Sequence, residues 1–72
     1  MAEVNNRYTV VDEFMVKGNK ILVLDKKIDF KDFRASSVMV SDDVFPFGWT
    51  HNEFWVTIQS DKQFLGKELV FV

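Results

Sequence analysis

Few residues of the types that usually carry catalysis occur in this chain. It has no cysteine and one histidine, His51. A serine hydrolase needs a histidine held between a nucleophilic serine and a carboxylate, but no serine here lies in a nucleophile-elbow pattern. The absence of thiols excludes a cysteine nucleophile and a thiolate metal site. The sequence therefore predicts no catalytic residue and no enzyme, and His51 is interpreted as an exposed loop residue.

The carboxylates form two groups. Asp42 and Asp43 are adjacent, and Asp25, Asp29 and Asp32 are close in sequence. Several oxygen ligands together bind Ca²⁺ or Mg²⁺, but neither group has the spacing of an EF-hand loop. Adjacent aspartates in a turn usually bond to their own backbone. We predict no metal ion and no cofactor, although the sequence leaves open whether these carboxylates face one another.

The segment from Val44 to Trp55 is the richest in aromatic residues, with five rings in twelve residues. So small a domain has little core in which to bury them all. Phe54, Val56 and Ile58 alternate and are expected to face inward, which places Trp55 on the outer face. Exposed tryptophans often anchor binding surfaces. The sequence predicts a partner-binding surface made of Phe45, Phe47, Trp49, His51, Glu53 and Trp55.

His51 and Glu53 would form the polar rim of that surface. An alternative is that residues 44–52 fold over one end of the domain as a lid and bury their rings. A third interpretation is a small enzyme or a small-molecule-binding protein whose pocket lies under the aromatic segment, with His51, Asp42 and Asp43 as its polar groups.

Basic and aromatic residues are interleaved between Lys26 and Arg34. Stacking rings beside a cationic groove would suit single-stranded nucleic acid. The residues of this alternative site are Lys26, Lys27, Phe30, Lys31 and Arg34, with Phe33 or Trp55 as further stacking rings. Three aspartates in the same stretch leave a local excess of one positive charge, which favours the simpler interpretation that the rings are core and the charges are solvated.

Composition and charge argue against several further classes of protein. The 72 residues carry a net charge of −2, which disfavours bulk attraction to polyanions, and 47% are hydrophobic, which is atypical of disordered chains. The longest apolar runs, Ile21–Leu24 and Leu69–Val72, are far shorter than the ~20 residues that span a bilayer. The first seven residues lack the apolar stretch of a signal peptide. We expect a soluble cytoplasmic protein.

Period-two alternation predicts strands over Tyr8–Val16, Ile21–Leu24, Ala35–Val40, Phe54–Gln59 and Lys67–Val72. In the first strand, Tyr8, Val10, Phe14 and Val16 are expected to share one face, with Asp12 as the exception. Residues 25–34 are expected to form a short strand or turn, and a helical turn capped by Asp29 is the alternative. Residues 44–52 are expected to form a long loop, and Gly66 a bulge or bend.

These elements predict an all-β single domain over residues 7–72 with a flexible N-terminus at residues 1–6. A meander closing into a five- or six-stranded barrel, OB-like or SH3-like, or a compact sandwich fits best. The last strand is apolar on both faces, so it lies between two strands of its own sheet or pairs across a homodimer. The predicted function is a non-enzymatic protein-interaction module: an adaptor, regulator or assembly subunit with a protein or peptide partner and no membrane association.

Overall fold

The structure, a computed structural model, describes residues 7–50 and 52–72. These residues form an all-β fold with one 3₁₀ helix, which confirms the predicted fold class. The strands are β1 Arg7–Val16, β2 Asn19–Leu24, β3 Ser37–Val40, β4 Asp43–Pro46, β5 Gly48–Trp49, β6 Trp55–Ile58 and β7 Glu68–Phe71, and the 3₁₀ helix spans Phe30–Arg34.

All neighbouring strands are antiparallel, in the order β4-β3-β7-β1-β2-β6-β5. This is not the order of a simple meander, because β7 lies between β1 and β3, and β6 lies beside β2. The two ends of the order, β4 and β5, are separated in the chain by Phe47 alone. Residues 43–49 therefore pair with β3 through their first half and with β6 through their second half. The backbone, rather than a further ladder of hydrogen bonds, joins the two ends of the sheet.

The core lies inside this curved sheet. Alternate residues of five strands point inward, and two residues from the connecting segments, Ile28 and Phe64, complete the cluster. Its buried members are Tyr8, Val10, Leu22, Leu24, Ile28, Val38, Val40, Val56, Ile58, Phe64, Leu69 and Phe71. The predicted inward positions of Val56 and Ile58 are confirmed.

A β-bulge in β1 overturns part of the predicted pattern. The register with β2 shifts between Val10 and Asp12, since Val10 lies opposite Leu24 and Asp12 opposite Val23. An extra residue in one strand reverses the inward and outward positions after it. Tyr8 and Val10 are buried, but Phe14 and Val16 are exposed, so the expectation that all four share one face is wrong. Asp12, the exception in the sequence pattern, marks the position of the bulge.

Because of the bulge, Glu13 turns toward the interior, where it meets Lys20. Lys20 is 5% exposed. Its ammonium lies 3.4 Å from Glu13 Oε1 and also donates to the carbonyl of Lys62. Glu13 Oε1 accepts the backbone N–H of Phe64 at 2.9 Å. This buried ion pair therefore holds the segment before β7 against the β1–β2 hairpin.

The connection after β2 is fixed by Tyr8. The Tyr8 hydroxyl donates to Asp32 Oδ2 at 2.6 Å and accepts the backbone N–H of Asp29 at 2.9 Å. Asp29 caps the 3₁₀ helix by accepting the N–H of Lys31. The expected short strand or turn over residues 25–34 is thus replaced by the alternative helical turn, because capping and the Tyr8 hydroxyl satisfy its backbone locally.

The expectation of a long loop over residues 44–52 is wrong for its first half, which forms β4 and β5. Pro46 is tolerated in β4 because this strand pairs with β3 on one side only, and a proline at a sheet edge removes no ladder hydrogen bond. Phe54, predicted to face inward, is exposed, because β6 begins one residue later. Gly66 has a φ of +82° and makes a bend before β7, as expected.

Candidate functional site

The outward-pointing side chains of β1, β2 and β6 form an apolar surface, here called the outer aromatic face. The register places Phe14 beside Ile21 and Ile21 beside Thr57, and it places Val23 beside Trp55. The rings of Phe14 and Trp55 meet edge to face with centroids 5.2 Å apart. The face consists of Phe14, Ile21, Val23, Trp55 and Thr57.

Ile21 shows how this surface differs from the core. It is 5% exposed, yet it is not part of the interior cluster. Its burial comes from neighbours on the outer side of the sheet, where Phe14 lies directly across the ladder. The outer aromatic face is therefore a second apolar layer, half-covered by its own rings, with Phe14 still 36% exposed.

A cleft of about 290 Å³ adjoins the outer aromatic face, with Thr57 belonging to both. Asn19, Thr57 and Gln59 offer amide and hydroxyl groups. The residues that line it are Asn19, Phe45, Pro46, Phe47, Gly48, Thr57, Ile58 and Gln59. None of these carries a charged side chain, so the cleft suits an uncharged group that can form hydrogen bonds.

Gly48 keeps the boundary between cleft and face open. It pairs with Thr57, and a Cβ at residue 48 would lie 2.6 Å from Thr57 Oγ1. That separation is too short for two non-bonded atoms. Glycine at residue 48 therefore lets the Thr57 side chain lie across the backbone of β5.

Two residues of the predicted partner-binding surface, Phe45 and Phe47, pack against the core. Phe45 meets Phe64 with ring centroids 5.6 Å apart, and Phe47 meets Phe71 at 5.2 Å. Both are partly buried and both line the cleft. For these two rings the arrangement is that of the alternative lid, while Trp55 lies on the outer aromatic face as predicted.

The other residues of that surface are spread around the turn before β6. Glu53 is exposed, and its carboxylate pairs with Lys27 at 2.9 Å. Trp49 lies in β5, where its backbone pairs with Val56; its side chain lies outside what the structure describes. His51 also lies outside the described residues. The structure thus places Phe45 and Phe47 at the cleft, Trp55 on the outer aromatic face and Glu53 in the turn before β6.

The basic residues of the nucleic-acid alternative surround the 3₁₀ helix. Lys26 Nζ lies 5.1 Å from the centre of the Tyr8 ring, and Lys27 is paired with Glu53. Lys31 and Arg34 are exposed on the helix, whose first residue is Phe30. Asp29 and Asp32 are used in capping and in the bond to Tyr8. These cations are therefore interspersed with engaged carboxylates rather than gathered along a groove.

The Asp43 and Asp25 carboxylates each accept a hydrogen bond from a distant part of the chain. Asp43 accepts a hydrogen bond from Lys62 Nζ at 2.9 Å, and this bond together with the carboxylate charge raises the pKa of Lys62. Asp25 Oδ1 accepts the N–H of Thr9. Within residues 7–50 and 52–72, no three histidine, aspartate or glutamate side chains gather closely enough to hold a metal ion.

Sequence reasoning missed Phe14, Asn19 and Gln59 at this site. Alternation without a bulge places Phe14 on the same face of β1 as Tyr8 and Val10, and therefore away from the outer aromatic face. Asn19 and Gln59 are distant in sequence and meet only because β2 pairs with β6. The one sequence signal for Phe14 was the polar residue at Asp12, which interrupts the apolar series.

Comparisons with protein-family models, with curated proteins and with solved structures found no match. No helix among the described residues is long and apolar enough to cross a membrane.

Proposed function

We propose that this chain is a small, non-enzymatic interaction module that binds a protein or peptide through the outer aromatic face and the adjoining cleft. The observation that supports the proposal is that the outer aromatic face and the cleft are continuous, because Thr57 belongs to both. A partner could thus bury an apolar side chain against Trp55 and place a polar group in the cleft in one binding mode.

The ring pair supports an anchoring role for Trp55. Phe14 and Trp55 hold each other edge to face, so neither ring must be ordered when a partner arrives. Aromatic residues with few rotatable bonds lose little conformational entropy on binding and dominate the energetics of many interfaces. Trp55 is half-buried, which leaves part of its ring for contact.

The chemistry of the cleft indicates an uncharged segment of the partner. Asn19 and Gln59 provide both donors and acceptors, and the Phe45, Pro46 and Phe47 side is apolar. Extended peptide segments match such a surface, since aromatic-lined grooves recognise a preformed extended backbone. Charge contributes little to this mode, so affinity should change weakly with salt.

A random peptide library displayed on phage tests the proposal directly. Panning against the wild-type chain should enrich peptides rich in apolar and uncharged polar residues. Those peptides should lose at least tenfold in affinity for Trp55→Ser and for Asn19→Ala/Gln59→Ala. A tenfold loss corresponds to about 1.4 kcal/mol, within the range of a single interface anchor.

Phe54→Ser is the matched control, because Phe54 is an exposed aromatic residue next to Trp55 that lies outside the outer aromatic face. It should leave affinity unchanged. Circular dichroism of every variant separates loss of binding from loss of folding. Enriched peptides that bind Trp55→Ser as well as wild type would contradict the proposal, and so would a chain that enriches nothing.

A parallel pull-down with and without nuclease separates the alternatives. Nucleic acid retained at low salt and lost steeply at high salt would favour the single-strand alternative around Lys26 to Arg34. Retention of a protein that survives nuclease and disappears with Trp55→Ser would favour the interaction module.

A further inference from the structure

The second half of β1 has an open edge. β7 pairs with Arg7–Thr9, and Val10 continues that ladder by donating to the Lys67 carbonyl at 2.9 Å and accepting from Gly66 at 2.7 Å. Within the described part of the chain, no strand lies beside residues 12–16 on that side. Those residues pair with β2 alone.

The hairpin turn decides which backbone groups point to the open edge. β1 and β2 are joined by two residues, Lys17 and Gly18, both with positive φ. In such a hairpin the flanking residues, Val16 and Asn19, exchange hydrogen bonds, and every second residue does the same. Phe14 therefore bonds to β2, whereas the backbone N–H and C=O groups of Glu13 and Met15 point to the open edge of β1.

Met15 is the residue whose backbone N–H and C=O can both bond to a docking strand. The Glu13 N–H already donates to Asp12 Oδ1 at 2.9 Å. A strand docking on this edge is therefore expected to centre its hydrogen bonds on the N–H and C=O of Met15.

We propose that a second copy of this chain pairs with this edge, antiparallel and about a twofold axis at Met15. Each Met15 would donate to and accept from Met15 of the partner subunit, which satisfies both groups at once. This register places Phe14 opposite Val16 of the partner subunit. The proposal is independent of the proposed function, although Phe14 belongs to both surfaces.

Charge complementarity argues for a second copy in this register. Lys17 would lie beside Asp12 of the partner subunit, and both residues are exposed, whereas the Glu13 carboxylate stays bound to Lys20 in the interior. No two like charges would face one another. A twofold interface repeats each contact, so this complementarity acts twice.

The exposed apolar side chains at this edge also support pairing with a second strand. Phe14 is 36% exposed, Met15 53% and Val16 43%. Proteins usually protect a free edge with a lysine, a proline or a covering loop, but residues 13–16 contain neither lysine nor proline. A partner strand in this register would place an apolar side chain of its own beside each of the three.

The dimer predicted through the C-terminal strand has no free edge there, because β7 is paired with β1 on one side and β3 on the other. The proposed dimer contact is therefore the open edge of β1 at Met15 and not the C-terminal strand. A contact of about five residues a side is much smaller than a standard stable interface, which has roughly 20–30 residues a side. The dimer is therefore expected to dissociate on dilution.

Single-cysteine cross-linking tests the geometry, since the chain contains no cysteine of its own. Paired residues that exchange hydrogen bonds have Cα atoms about 5.5 Å apart, so Met15→Cys should form covalent dimers quickly with a short bis-maleimide. Met39→Cys is the matched control, because Met39 is exposed on a strand in the other half of the sheet. It should cross-link at least tenfold more slowly.

Analytical ultracentrifugation of the full chain provides a second test, because it measures the monomer–dimer equilibrium. Wild type should show a monomer–dimer equilibrium that Val16→Lys shifts at least tenfold toward monomer, because the lysine would face Phe14 of the partner subunit. Val44→Lys, at an exposed valine of β4, should leave the equilibrium unchanged. A wild type that remains monomeric at high concentration would overturn the proposal. A dimer insensitive to Val16→Lys, or one in which Met15→Cys reacts no faster than Met39→Cys, would do so as well.

Discussion

Gly48 shows how a single side chain sets the shape of the site. Its missing Cβ leaves space for Thr57 Oγ1, and the two residues are paired across β5 and β6. The neighbouring cleft depends on this close approach, since Gly48 and Thr57 both line it. Backbone conformation is not the reason for glycine here, because Gly48 is not among the residues with positive φ.

Gly48→Ala should lower the free energy of unfolding by about 1–3 kcal/mol, since the added methyl group overlaps Thr57 Oγ1. In a Thr57→Ala background the same substitution should become neutral or slightly stabilising, because alanine loses less backbone entropy than glycine on folding. Urea denaturation of the four proteins in this cycle measures both effects. An equal cost in the two backgrounds would show that the contact with Thr57 is not the cause.

At the scale of elements, the β1–β2 hairpin is joined to the rest of the molecule through Glu13 and Lys20. Their side chains are 15% and 7% exposed, and both contact the segment that leads to β7. The bulge before Asp12 makes this possible by turning Glu13 inward. Two charges placed in an interior stabilise it only if each keeps its partners.

Lys20→Met should lower the free energy of unfolding by about 3–5 kcal/mol, because it leaves the Glu13 carboxylate buried without its cation. Adding Glu13→Gln should recover a large part of that loss, since the amide oxygen still accepts the Phe64 N–H without a buried charge. Guanidinium unfolding of wild type, the two single variants and the double variant measures the coupling. Additive losses would contradict a direct interaction between the two side chains.

At the scale of the whole molecule, Phe47 lies where the two ends of the sheet meet. It separates β4 from β5, and its ring packs on Phe71 of β7. Residues 43–49 therefore connect distant parts of the sheet order and contribute rings to the core. This position explains why a segment with proline and glycine is ordered as two short strands.

Phe47→Ala should lower the free energy of unfolding by about 2–4 kcal/mol, somewhat less than for a fully buried phenylalanine because Phe47 is half-buried. It should also increase hydrogen exchange in β4 and β5 more than in β1. Trp55→Ser is the comparison, and it should lower the free energy of unfolding by less than Phe47→Ala does, since Trp55 lies outside the core. Full stability of Phe47→Ala would instead favour the predicted role of Phe47 as a free binding residue.

Period-two alternation was enough to predict the all-β class, the shared face of Val38 and Val40 in β3, and the inward positions of Val56 and Ile58 in β6. It also predicted the outer position of Trp55. These properties are local, because side chains alternate between the two faces of a strand whatever its neighbours are. The helical turn at Asp29 was also visible locally, as an alternative, because a cap acts within three residues.

The tertiary structure alone decided the strand order, the bulge in β1 and the composition of the site. Pairing of β2 with β6 and of β7 with both β1 and β3 depends on contacts between residues far apart in sequence, which alternation does not encode. The bulge reversed the faces of Phe14 and Val16 because one unpaired residue shifts everything after it. For the same reason the aromatic segment divided, with Phe45 and Phe47 packing on the core and Trp55 joining Phe14 on the outer face.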